Sequence, residues 1–178
     1  MQVPDHLVAE IIDGELVTSP RPATPHARAY SVIGQDLSPF DRRPGGPGGW
    51  WVLDEPELHF GEDVLVPDLA AWRQERMPTI PRAPFITLAP DWVCEVISPS
   101  TGRIDRSRKM HIYARERVWN LWFVDPLART LEVYRLEDDR WIVASTHGGD
   151  DIVRAEPFDA LEIGLERWWL DEQTGAIL

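Results

Sequence analysis

Trp92-Val93-Cys94-Glu95-Val96-Ile97 is a strand-like run in which one glutamate stands among five apolar neighbours. Bounded by Asp91 and by Ser98-Pro99, it predicts a long strand over residues 91–98. An ionised carboxylate buried there without a partner is strongly destabilising, so Glu95 needs a cation, a metal ion or a place at the end of a sheet. The same anomaly recurs upstream. In Val64-Leu65-Val66-Pro67-Asp68-Leu69 an aspartate directly after a proline interrupts a second apolar run. Two such acids on separate strands suggest a shared cation. Magnesium or manganese, which prefer oxygen donors, suit a pair of carboxylates completed by water and a phosphate group. On these residues alone the alternative is two edge or salt-bridged acids.

Lys109 is the only lysine among 18 lysine and arginine residues. A lysine can lose its proton when buried, whereas arginine stays charged. A single lysine in an arginine-filled chain is therefore a candidate for orienting or activating water, and for meeting the negative charge that develops in phosphodiester hydrolysis. The bland alternative is a surface pair with Asp105 one helical turn away, worth only ~0.3–0.5 kcal/mol. Arg103, Arg106, Arg108, Arg115 and Arg117 surround it, opposed only by Asp105 and Glu116. This is either a local basic cluster or a solvated helix face.

Working outward, residues 5–12 have a short helical pattern that stops at Asp13-Gly14, and residues 15–19 read as a strand. Thr24 caps a helix with Pro25 at its first position, and the spacing of Ala27, Tyr30, Ile33, Gly34 and Leu37 carries it to about Ser38. Pro44-Gly45-Gly46-Pro47-Gly48-Gly49 is a surface loop. Residues 50–60 and 64–72 predict a hairpin turning at Gly61-Glu62-Asp63, and a loop holding Pro78, Pro81, Pro84 and Pro90 leads to residue 91. Ser100 or Thr101 caps a helix over residues 103–116, and strands follow at 119–124, 130–136, 140–146 and 151–154. This order predicts a mixed α/β (α+β) fold, a central mixed sheet flanked by helices. With 178 residues, 43% of them hydrophobic, the chain can bury one ordinary core, and we expect a single domain over residues 1–178.

Composition narrows the function. The sequence has no stretch near the ~20 apolar residues of a membrane span and no signal-peptide pattern, so a cytoplasmic protein without a membrane partner is expected. Cys94 is the sole cysteine, which rules out a disulfide framework and a cysteine zinc site. A net charge of −12 repels polyanions and argues against a simple DNA-binding protein, yet it is compatible with a carboxylate site that holds a divalent ion. His6, His26, His59, His111 and His147 form no HExxH pair, and no glycine-flanked nucleophile elbow surrounds Ser98 or Ser100. Most of the nine tryptophans belong in the core, with Trp168-Trp169 a candidate surface for a homodimer.

Pro67-Asp68, then Glu95-Val96-Ile97-Ser98-Pro99-Ser100-Thr101, then Asp105, Lys109 and Tyr113 together resemble the Uma family of restriction-endonuclease-like proteins, a bacterial branch of the PD-(D/E)XK nuclease superfamily. Ile12-Asp13-Gly14-Glu15-Leu16-Val17, His26 and Trp119-Asn120-Leu121-Trp122-Phe123-Val124-Asp125-Pro126 fit the same pattern, so the resemblance reaches about Leu136. It implies a restriction-endonuclease-like fold and a metal-dependent nuclease that hydrolyses DNA phosphodiester bonds. Asp68 and Glu95 would ligate magnesium or manganese, the carbonyl of Val96 would add a ligand, and Lys109 would orient or activate water, with Glu15 and His26 in support. The superfamily's usual lysine lies two residues beyond the glutamate, where this chain has Ile97. The resemblance implies that Lys109 reaches the same space from the following helix. A Lys109 pointing to solvent would instead imply a catalytically silent nuclease fold acting as an interaction or regulatory module, which the acidity favours.

Overall fold

Asp13 and Gly14 both have positive φ, 52° and 76°, the backbone of a two-residue hairpin turn that Asp-Gly adopts at little cost. In the computed structural model, which describes residue 4 and residues 6–21, 23–41, 46–99 and 101–170, they join β1 (Leu7–Ile12) to β2 (Glu15–Pro20). The strands are antiparallel with Ile12 opposite Glu15. The helix expected over residues 5–12 is therefore a strand; Asp5 lies outside the described residues. Val8, Ile11 and Ile12 are β-branched, and Glu10 and Ile12 are buried at alternate positions, a period of two that a helix would not produce.

The helix α1 (Thr24–Leu37) buries Ala29, Val32, Ile33 and Leu37, with Ala23 rather than Thr24 at its cap. Of the glycine-rich loop that follows, Pro44 and Gly45 lie outside the described residues. The expected hairpin is present, but each of its arms is broken. β3 (Trp50–Asp54) gives way to β4 (Leu58–Phe60) through Glu55, at φ 44°, and Pro56, while β5 (Asp63–Leu65) gives way to β6 (Leu69–Arg73) through Val66-Pro67-Asp68. A proline in each break withholds a ladder donor, so both arms bend together and the hairpin enters two sheets. β4 and β5 pair in one and β3 and β6 in the other.

The expected long strand is the shorter β7 (Trp92–Val96). Ser100 lies outside the described residues, and the next helical segment runs from α2 (Gly102–Ile104) through a π-helical turn (Asp105–Lys109) into α3 (Met110–Arg115). It crosses over to β8 (Asn120–Asp125), parallel to β7. β9 (Thr130–Glu137) and β10 (Arg140–Gly148) add a hairpin, and β11 (Ile152–Val153) pairs with β12 (Ile163–Gly164), a strand the sequence did not suggest. A 3₁₀ turn, Leu165–Trp168, follows.

The main sheet is mixed and six-stranded, in the order β10-β9-β8-β7-β6-β3, and the smaller one runs β2-β1-β5-β4. One face of the main sheet, with Trp92, Cys94, Val96, Trp122 and Val124, packs against α1 and the segment after β10. The other, with Ala70, Trp72, Val93, Leu121 and Phe123, packs against Ile112 and Tyr113 of the crossover helix and against the smaller sheet. Covered on both sides, β7 is buried along its whole length. Trp168 and Trp169 are 0% and 5% exposed and belong to the first of these cores, so they are not the surface pair proposed for a dimer interface.

Phe158 anchors that core, with ring centroids 4.8 Å from Phe40, 5.0 Å from Trp50 and from Trp92, and 5.7 Å from Trp122. Phe158→Ala should lower stability by about 3–5 kcal/mol in urea unfolding followed by tryptophan fluorescence.

Candidate active site

The pleat of β7 turns Trp92, Cys94 and Val96 toward α1, so Glu95 points with Val93 toward the crossover helix. Its Oε1 lies 2.7 Å from Lys109 Nζ and accepts a 2.5 Å hydrogen bond from the Tyr113 hydroxyl. Lys109 is 3% exposed, which removes the surface-pair alternative. Its pairing with Asp105, at 3.5 Å, is present but buried. Lys109 ends the π-helical turn, a local widening of the kind often found at functional sites. In that turn Arg108 reaches Asp13 and Glu15 at the tip of the β1-β2 hairpin, and Lys109 reaches Glu10 within β1. Ile97 packs among the apolar residues on the helix side, and the amine arrives from the helix instead.

Asp68 sits at the bend between β5 and β6. Its Oδ2 accepts the Val96 N–H at 2.7 Å and lies 3.4 Å from Nε2 of His26, near the start of α1. Asp68, Glu95, Lys109, His26 and Val96 all border one cavity of about 200 Å³.

Glu15 does not join them. It is exposed at the hairpin turn and pairs with Arg108 at 2.9 Å. The acid that the hairpin contributes is Glu10, whose Oε1 accepts the Val66 N–H at 2.8 Å and lies 3.1 Å from Lys109 Nζ. The signal for Glu10 was the one that marked Asp68 and Glu95, an acid inside the apolar run Leu7-Val8-Ala9-Glu10-Ile11-Ile12. A helical reading of the segment hid it.

Over residues 2–166 the sequence matches the family Uma2, described as "Putative restriction endonuclease". The chain belongs to this family. No curated protein matches it. Among solved structures, a protein from Anabaena variabilis described as a putative nuclease belonging to DUF820 superposes with a TM-score of 0.69. The two are 22% identical, with 90% of this chain and 88% of that one covered, a likeness that concerns the fold.

The cavity of this Uma2-family chain holds more negative than positive charge. Glu10, Glu55, Asp68, Glu95 and Asp105 face Arg21, His26 and Lys109. Burial works against the Lys109 ammonium, but Glu10 and Glu95, then Tyr113 and Asp105, outweigh it and hold the amine well above its ordinary range. Glu95 is likewise pushed well up, by burial first and by repulsion from Asp105, Asp68 and Glu10, against the pull of Lys109. The two directions are consistent: the amine keeps its proton, and the remaining excess of carboxylates calls for one more proton or one more cation. Asp105 is raised for the same reasons, burial leading. For His26, burial lowers the imidazole, but the Asp68 carboxylate prevails and its net shift is upward.

A magnesium-type ion fits this donor set. Asp68 engages its protein donors through Oδ2 and Glu95 through Oε1, and the surplus carboxylate charge is what a divalent ion would neutralise. Among the described residues no three His, Cys, Asp or Glu side chains converge as a metal cage. Magnesium sites built from one or two carboxylates plus water and phosphate do not require one.

The arginines around Lys109 are mostly paired with acids. Arg106 makes a two-pronged bond to Glu132 at 2.8 and 2.7 Å, and Arg108 holds Asp13, Glu15 and the Ile12 carbonyl. Arg115 meets Asp63 at 2.8 Å, and Arg117 meets Asp139. The helix therefore presents an ion-paired face rather than a free basic patch.

Glu95→Gln tests the charge excess. With its folded pKa above the unfolded one, Glu95 binds a proton in the folded state that the unfolded chain releases, so its contribution to stability falls as pH rises from about pH 5 upward. In metal-free buffer the variant should melt above wild type by a margin that widens with pH, about 2–4 °C for each kcal/mol gained, measured by scanning calorimetry.

Proposed function

We propose that the chain is a metal-dependent endonuclease that hydrolyses DNA phosphodiester bonds, with magnesium or manganese held by Asp68, Glu95 and the carbonyl of Val96. The observation that supports this reading is the cavity in which Asp68 stands beside a protonated lysine and the three carboxylates that hold it, in a chain of the Uma2 family. When bound, the ion supplies Lewis-acid polarisation of the phosphodiester. Lys109 acts as a fixed cation: its carboxylate neighbours keep it protonated, so it orients water and meets developing negative charge instead of removing a proton. Glu10 and Asp105 hold that ammonium from the hairpin and from the helix. His26 holds a proton at Nε2 beside Asp68 on the cavity wall.

One observation favours a second reading, a nuclease fold that binds a partner protein. The net charge is −12 and the arginines of the crossover helix are largely ion-paired, so long-range attraction for DNA is weak.

Calorimetric titration with Mn²⁺ separates the two. Wild type should bind, and Asp68→Ala and Glu95→Ala should each weaken binding at least about tenfold; absence of binding to wild type would sink the nuclease reading and leave the interaction module. In plasmid cleavage, Lys109→Met, which keeps the packing of the stem, should retain the metal but lose roughly 10²–10³ in rate. Undiminished cleavage would remove Lys109 from the mechanism.

A further inference from the structure

We infer that Tyr113 is a positioning residue for Glu95: with the Lys109 ammonium it ties down Oε1, leaving Oε2 as the oxygen that meets a cation. The inference rests on the proposed role of Glu95 as a metal ligand. Tyr113 follows Lys109 by one helical turn, so both side chains descend from the same face of the crossover helix onto β7. Their contacts converge on a single atom. Glu95 Oε1 accepts the Tyr113 hydroxyl at 2.5 Å and lies 2.7 Å from Lys109 Nζ.

All three residues are buried, at 0%, 3% and 3% exposure for Tyr113, Glu95 and Lys109. Glu95 and Lys109 line the cavity, whereas Tyr113 stands behind its wall among Ile112, Val118 and Phe123. It has no path to substrate and acts through the carboxylate.

A carboxylate held by one donor can rotate about its last torsion, which is a soft one. Two donors on one oxygen from different directions remove that freedom. A phenol suits the task because its ring fills the core while its single proton forms a short bond to the charged oxygen. Being neutral, it adds no further charge to a crowded cluster, and burial together with the nearby Glu95 carboxylate keeps it protonated far above neutral pH. The arrangement follows the general rule that metal ligands are oriented by hydrogen bonds from behind.

Tyr113→Phe retains the ring and deletes only the hydroxyl. Mn²⁺ titration should show affinity about 10–100-fold weaker than wild type. A metal-free crystal structure of the variant should show the Glu95 carboxylate turned from its wild-type orientation. Tyr134→Phe removes a phenol that bonds Glu132 outside the cavity and should leave Mn²⁺ affinity unchanged. An unchanged Glu95 orientation in Tyr113→Phe, or unchanged Mn²⁺ affinity where wild type binds, overturns the inference. If wild type itself binds no Mn²⁺, the proposed function fails, and the metal-free structure alone decides the positioning role: a turned carboxylate supports it and an unmoved one overturns it.

Discussion

The ammonium of Lys109 draws together carboxylates from three elements: Glu95 of β7 at 2.7 Å, Glu10 of β1 at 3.1 Å and Asp105 of its own helical segment at 3.5 Å. From these contacts a closed circuit can be traced. Glu10 also accepts the Val66 N–H, just before Asp68, and Asp68 accepts the N–H of Val96, next to Glu95. Hairpin, bend, strand end and crossover helix are thus fastened to one another through polar groups that have little access to water. Removing the ammonium from such a buried set typically costs about 3–5 kcal/mol, because the carboxylates then lose their compensation, although the set as a whole adds little net stability. Its value lies in specifying one arrangement of oxygens around one cavity.

The fold places that circuit where the two sheets part. Pro56 and Pro67 break the two arms of the long hairpin at the same level, so β3 and β6 continue the main sheet while β4 and β5 turn away into the smaller one. Asp68 stands at this joint, where an aspartate meets ladder N–H groups without having to sit inside a strand. The β1-β2 hairpin closes the cavity on one side. Arg108 holds its turn through Asp13, Glu15 and the Ile12 carbonyl, and Lys109, the next residue, holds Glu10 at the cavity.

Much of the site was legible in the sequence because a buried acid is costly. Asp68 and Glu95 stood out for that reason alone, and the solitary Lys109 stood out against a chain otherwise supplied with arginine. Glu10 carries the same signal, but residues 5–12 read as a helix would place it on a polar face. Asp13-Gly14 could end a helix or turn a hairpin, and only the pairing of β1 with β2 distinguishes the two. Glu15 is implied only by the resemblance, and its position at the turn takes it to the surface. Trp168 and Trp169 gave no sign of their burial because their partners, Trp122 and Asp36 for the first and the Gly149 carbonyl for the second, lie well away in sequence.

Local pattern by itself determined the mixed fold class, most of the strands and the two acids that could not be left unpartnered, because alternation, prolines and desolvation act within a few residues of the chain. The tertiary structure alone decided that Lys109 is buried rather than solvated, that Glu10 and not Glu15 faces it, and that Tyr113 shares an oxygen of Glu95 with it. Those outcomes depend on which side of β7 the crossover helix covers and on how far the bent hairpin brings β1 toward it. Such distances are set by packing between elements remote in sequence, and no local rule contains them.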